Sequence, residues 1–291
     1  MTLRHAMLEA ASRAPRLLGE SRGAVAAFLR AQQNPDGGFR GRGDQSDLYY
    51  AVFAVEGLVA LGEPPDPDPL RGYLASFGDG EGLDFVHLAC LARSWADAGE
   101  SGRDLRAALI RRIEGHRSAD AGYAPSPGAE HGTAYGCFLA LGALEDLGAE
   151  EMDKGAILRC LAALRRDDGG YANERALLSS TTPATAAAVS VAKHMTGTAD
   201  KAAAGFLVAR AAADGGFFVT ATAPFPDLLS TATALHALAG LTRHSRDLVQ
   251  SCTRFVEGLR TDAGGYLGLW LDEAPDAEYT FYALLALGHL S

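Results

Sequence analysis

The sequence predicts an all-α protein folded as a single (α/α)6 barrel of six helical hairpins, and three observations carry that prediction. The first is a turn ending in an aromatic residue that recurs along the chain. Its copies are Asp36-Gly37-Gly38-Phe39, Asp120-Ala121-Gly122-Tyr123, Asp168-Gly169-Gly170-Tyr171, Asp214-Gly215-Gly216-Phe217 and Asp262-Ala263-Gly264-Gly265-Tyr266, with a worn copy at Asp79-Gly80-Glu81-Gly82-Leu83. The second is an amphipathic, arginine-rich helix before each turn, as over Ser21 to Gln33, Arg103 to Arg117 and Ser245 to Arg260. The third is a nearly uncharged helix of Ala and Leu after it.

Each element follows from these. Paired glycines allow positive φ where a helix stops and reverses, and the aromatic returns to the core. A helix with a polar face lies outside, whereas one that is apolar all round is buried. Alternating outer and inner helices around a ring is the simplest closed arrangement. The inner helices start at Asp47, Asp84, Thr133, Thr182, Asp227 and Asp276, all residue types whose oxygens accept first-turn amide hydrogens. A short N-terminal helix over about residues 1–19 precedes the six repeats, and residues 1–291 form one domain.

Counting from the cap, the bulky aliphatics fall one, eight and eleven residues on (Leu48, Val55, Leu58; Leu228, Leu235, Leu238) and are expected against the outer layer. The opposite stripe, at two or three, six and nine, is then expected to face the interior. It holds Tyr49, Tyr50, Phe53 and Glu56; His87, Cys90 and Arg93; Tyr135 and Leu139; Thr185; Ser230, Thr233 and His236; and Glu278, Tyr279 and Tyr282. Aromatics mixed with a few convergent polar groups describe a ligand cavity. Glu56 and Arg93 share one level on adjacent helices, either as a buried ion pair or as a base and an anion-binding group. Six helix N-termini meeting at one mouth, with Arg40 and Arg42 nearby, favour an anion such as a diphosphate.

Composition removes other classes. With 36 acidic against 26 basic side chains, the formal charge of −10 argues against a nucleic-acid groove. No stretch is apolar for long enough to span a bilayer. The start, Met1-Thr2-Leu3-Arg4-His5-Ala6, is charged without an apolar block or cleavage site, so no signal peptide is expected. Cys90, Cys137, Cys160 and Cys252 are scattered like the reduced thiols of a cytoplasmic protein.

Gln32-Gln33-Asn34-Pro35-Asp36-Gly37-Gly38-Phe39-Arg40-Gly41-Arg42, followed by Asp47-Leu48-Tyr49-Tyr50, resembles the repeat of protein prenyltransferase β subunits. Through six copies the resemblance to the terpenoid cyclase/protein prenyltransferase superfamily covers essentially the whole chain. It implies a toroid, an isoprenoid ligand and, for the transferases, a helical partner subunit and a zinc ion. That zinc is held by a D-x-C and a later D-x-x-H helix start. Here Asp227-Leu228-Leu229 lacks the thiolate, Asp276-Ala277-Glu278-Tyr279 lacks the imidazole, and Asp47-Leu48-Tyr49 has Tyr for Cys. Only Asp84-Phe85-Val86-His87 keeps the D-x-x-H spacing, which leaves Asp47, Asp84 and His87 as a possible metal set, with zinc or magnesium as the candidate ion. In class II terpene cyclases the central Asp of a D-x-D-D start protonates an alkene or epoxide. Asp276-Ala277-Glu278-Tyr279 resembles a degenerate form, with Glu278 at the proton donor's place.

Three readings therefore stand. One is a cyclase- or isomerase-like enzyme working by acid–base and carbocation chemistry without zinc. Its acid is Glu278, with His87, Tyr50, Tyr279 and His236 as proton partners and Glu56 as a base, and Tyr49, Tyr50, Phe53, Tyr135, Tyr282, Arg93, Arg40 and Arg42 around the substrate. The others are a prenyltransferase with a displaced metal site or small-molecule acceptor, and a non-catalytic toroid that binds a ligand or protein.

Overall fold

In three of the full turns the aspartate carboxylate folds back onto the chain and accepts the amide hydrogen of the glycine two residues on, Gly38 donating to Asp36 (2.9 Å), Gly122 to Asp120 (3.2 Å) and Gly170 to Asp168 (3.0 Å). The aromatic then bridges to the end of the preceding helix, as Phe39 does to Gln33 and Tyr266 to Arg260. Phe39, Tyr123, Phe217 and Tyr266 have no exposed surface. The first glycine is obligatory at Gly37: φ is +89°, and a Cβ would lie 2.0 Å from the Pro69 carbonyl oxygen of the next hairpin. At the matching place in the third repeat, Ala121 has φ +63°, a strained conformation for a residue with a Cβ. Ala121→Gly is accordingly expected to raise stability by up to about 1 kcal/mol, read as a higher urea midpoint at unchanged m-value.

The computed structural model describes residues 1–99, 102–149 and 152–291. The helices are α1 (Leu3–Ala11), α2 (Pro15–Leu18), α3 (Arg22–Arg30), α4 (Leu48–Ala60), α5 (Pro67–Ala75), α6 (Phe85–Asp97), α7 (Arg103–Glu114), α8 (Ala134–Asp146), α9 (Lys154–Ala162), α10 (Thr182–Thr196), α11 (Lys201–Val208), α12 (Leu228–Leu238), α13 (Arg246–Gly258) and α14 (Ala277–Leu290).

 The six even-numbered ones pack in a closed ring, α4 on α6, α6 on α8, α8 on α10, α10 on α12, α12 on α14 and α14 back on α4. The odd-numbered helices α3 to α13 form the outer layer. Phe28 of α3 lies over Gly265 of the last turn, where a Cβ would come within 2.5 Å of its ring, so the first and last hairpins interlock as neighbours do.

All six inner helices are capped by a side chain: Asp47, Asp84, Thr133, Thr181, Asp227 and Asp276. The fourth cap is therefore Thr181 rather than Thr182, whose hydroxyl instead donates to the Phe218 carbonyl at 2.6 Å. With that register Thr185 turns away from the lumen and accepts the Tyr171 amide at 2.9 Å. Thr231 and Thr280 do the same for Phe217 (2.9 Å) and Tyr266 (3.1 Å), so a threonine four residues after the cap ties each of the last three turns to its inner helix.

The expected N-terminal helix is broken at residues 12–14, and its first part has a role of its own. α1 packs on α4, α8 and α14 at the C-terminal end of the ring. There Arg4 bridges Asp97 (2.6 Å) and Asp146 (3.1 Å), while the Leu3 amide donates to Glu145 at 2.9 Å. α1 thus closes the bottom of the barrel.

Candidate active site in the barrel lumen

The lumen begins at the N-terminal ends of the inner helices and runs down to Met7 of α1. Its main chamber is about 390 Å³, within the ordinary size of a small-molecule site. A smaller recess of about 60 Å³ continues along α4, α6 and α8. The wall is built in three levels. Two residues after the cap stand Tyr49, Tyr135, Pro183, Leu229 and Glu278; six after it, Phe53, Cys90, Leu139, Ala187, Thr233 and Tyr282; nine after it, Arg93, Gly142, Ser190, His236 and Leu285. The stripe at two, six and nine faces inward because these spacings stack on one side of a helix.

Glu278 is the carboxyl at the upper level. Its Oε1 accepts the Tyr49 hydroxyl at 2.6 Å, and burial raises its pKa to about 7 against the opposing effect of that hydrogen bond. Beneath it the aromatic wall is continuous: Tyr49 meets Phe53 edge-on at 5.0 Å, and Phe53 meets Tyr282 at 5.5 Å. About 10 Å deeper, at a rise of 1.5 Å per residue, His236 closes the chamber. Its Nδ1 lies 3.0 Å from His289 Nε2, and burial lowers the pKa of His236 to about 3 and that of His289 to about 4, so both are neutral at pH 7.

Several residues expected in the lumen lie elsewhere. Glu56 is fully buried in a two-pronged pair with Arg93, whose Nη2 is 2.5 Å from Oε2, so it has no free oxygen to act as a base. Arg93 borders the recess, but its charge is engaged by Glu56. Tyr279, three after its cap, packs over Gly268 beneath Arg42 (5.8 Å from guanidinium carbon to ring centre) and does not line the chamber. Tyr50 at the same level packs over Gly41. Arg42 pairs with Asp276 (3.0 Å) and Asp272 (3.3 Å), and Arg40 with Asp44 (3.8 Å). His87 stands on the rim between Asp84 (2.9 Å) and Asp47 (3.4 Å), which raise its pKa against the lowering effect of burial. Asp47, Asp84 and His87 therefore meet as an ion triad. Among the described residues no group of three or more His, Cys, Asp or Glu side chains is arranged to hold a metal ion. Nor do the zinc positions of the prenyltransferase pattern fit: Leu229 and Tyr279 offer neither thiolate nor imidazole.

Other wall residues carry no sequence pattern of their own. Phe138 lies five after its cap, between the inward spacings, and Asn173 sits in a loop, where its side-chain oxygen accepts the Tyr135 amide at 3.0 Å. Met7 enters from α1, whose place under the barrel depends on long-range ion pairs. Among the described residues no helix is long and apolar enough to cross a membrane.

The family model described as the prenyltransferase alpha-alpha toroid domain matches residues 5–77, 85–223 and 188–291. Among solved structures, the chain is similar to a variant of the type II terpene cyclase MstE from Scytonema in complex with geranylgeranyl dihydroxybenzoate (12% identity, TM-score 0.63, 95% of this chain and 97% of that one). It is also similar to Candida albicans protein geranylgeranyltransferase-I complexed with GGPP (12% identity, TM-score 0.63, 90% and 89% covered). A protein from Actinoplanes aligns at 15% identity with TM-score 0.62 over 93% of this chain and 97% of that one. At such identities the likeness is one of fold. No curated protein matches the sequence.

Proposed function

We propose a function for a chain that belongs to the prenyltransferase alpha-alpha toroid family: it holds an isoprenoid in its lumen and rearranges it by acid-initiated carbocation chemistry, with Glu278 as the acid. One observation carries this reading. A carboxyl that keeps its proton near pH 7 faces an aromatic-walled chamber through which an apolar chain can thread. The neighbours named for geranylgeranyl ligands support the choice of ligand class.

Glu278 transfers its proton to one carbon of an alkene, or to an epoxide oxygen, and leaves a carbocation on the substrate. The faces of Tyr49, Phe53, Tyr135 and Tyr282 stabilise that charge. Loss of a neighbouring C–H proton to neutral His236 at the base of the chamber forms the final double bond. The proton gained equals the proton lost, so the product is an isomer of the substrate and no oxidant or reductant is required. Glu278 recovers its proton at the mouth, where Tyr49 holds it.

The test is incubation with C15 and C20 isoprenoids in D2O, with products separated by mass spectrometry. Isomeric products carrying one deuterium at a former alkene carbon are expected. Binding without any isomer or deuterium exchange would leave a ligand-holding toroid in place of an enzyme.

A further inference from the structure

We propose that the lumen selects an isoprenoid whose head group carries no formal charge, such as an alcohol, a phenol or an epoxide, and discriminates against prenyl diphosphates. The inference rests on the reading of the lumen as an isoprenoid site and names the chemistry of the head group it takes.

A diphosphate is held by surplus cations and by free amide hydrogens. The cations bordering this lumen are already engaged. At the mouth, Arg42 lies between Asp276 and Asp272, and His87 between Asp84 and Asp47. At the base, Arg4 and Arg93 face Asp97, Asp146 and Glu56, two guanidiniums for three carboxyls. Lys193 donates to the carbonyls of His236, Ala237 and Ala239 at 3.1 Å each, at the end of α12.

The helix amides are engaged as well. Asp47, Asp84, Asp227 and Asp276 accept the amides of Tyr49, His87, Ser230 and Tyr279, and the threonine caps take those of Gly136 and Ala184. The first amides of α8, α10 and α12 donate to carbonyls of the next hairpin, at Asn173, Val219 and Gly268. Four of the six helix ends thus carry a carboxylate where an anion would have to sit, and each one cancels the favourable end of the helix dipole.

What remains for a ligand is neutral. The side-chain amide of Asn173, whose oxygen is occupied by the Tyr135 backbone, keeps its NH2 for the chamber, and the hydroxyls of Tyr135, Tyr282 and Ser190 line the same wall. These groups donate to and accept from an alcohol or a phenol without leaving a buried charge unpaired.

The proposal is tested by equilibrium dialysis of the full chain against geranylgeraniol and geranylgeranyl diphosphate, which share one hydrocarbon chain. The alcohol is expected to bind about tenfold tighter or more, a difference of about 1.4 kcal/mol. Thr233→Phe, and separately Ala187→Phe on the adjacent helix, are expected to fill the chamber and abolish that binding, with far-UV circular dichroism confirming the fold. Equal or tighter binding of the diphosphate, lost in both plugged variants, would overturn the proposal while leaving the lumen an isoprenoid site. Binding of neither ligand would overturn the isoprenoid reading itself. Binding unaffected by either plug would place the ligand outside the lumen and overturn the proposal too.

Discussion

Glu278→Gln is expected to lower turnover about 10³-fold, equivalent to about 4 kcal/mol of barrier, while isoprenoid binding stays within about twofold. The amide keeps the shape and a hydrogen-bonding partner for Tyr49 but has no proton to transfer. In the native chain, turnover should fall as pH rises through about 7, because only the protonated carboxyl initiates the reaction. Tyr49→Phe removes a donor that favours the carboxylate, so the alkaline limb of that profile should move to higher pH. Stability provides a readout independent of turnover. The folded pKa of Glu278 lies above its ordinary value, so its contribution is fully present below about pH 4.5 and is lost as pH rises through about 7. Glu278→Gln should therefore match the native chain in unfolding free energy near pH 4 and exceed it by about 3 kcal/mol at pH 8, read by urea denaturation. Retained turnover in the variant would remove Glu278 from the chemistry.

The ring of helices was legible because its signals are local. An aspartate two residues before a glycine, a glycine at positive φ and a following aromatic need only their neighbours to form a turn, as at Asp36 to Phe39. The inward spacing of Tyr49, Phe53, Tyr282 and Glu278 follows from helical periodicity alone. The ambiguity between two and three residues after the cap was not resolvable in the same way. The two positions are separated by about 100° around the helix, and only packing against the turn decides between them. Gly41 and Gly268 leave room for Tyr50 and Tyr279 on the rim side, which sends Tyr49 and Glu278 inward. Thr181 and Thr182 are equally good caps by composition, and the choice between them rests on the Phe218 carbonyl that takes the Thr182 hydroxyl. The plug made by α1 depends on Arg4 meeting Asp97 and Asp146, partners far away in the sequence that no periodicity announces.

Arg93→Met is expected to destabilise the fold by about 3–5 kcal/mol at pH 7, the largest stability loss of any single change considered, because it leaves the Glu56 carboxylate buried and unpaired. The size of the effect reflects the cost of stranding a charge, and not the net value of the ion pair. Glu56→Met combined with Arg93→Met should consequently recover most of the loss, since two apolar side chains of similar volume leave nothing to solvate. The single variant should also recover part of the loss at pH 5, where protonation neutralises Glu56 at lower cost. Urea denaturation of the native chain, both single variants and the double variant at pH 5 and 7 completes the cycle. A double variant no more stable than Arg93→Met would mean that the pair contributes attraction beyond its own desolvation. In that case the third carboxyl shared with Arg4, at Asp97 or Asp146, would have to be counted as part of the same buried network.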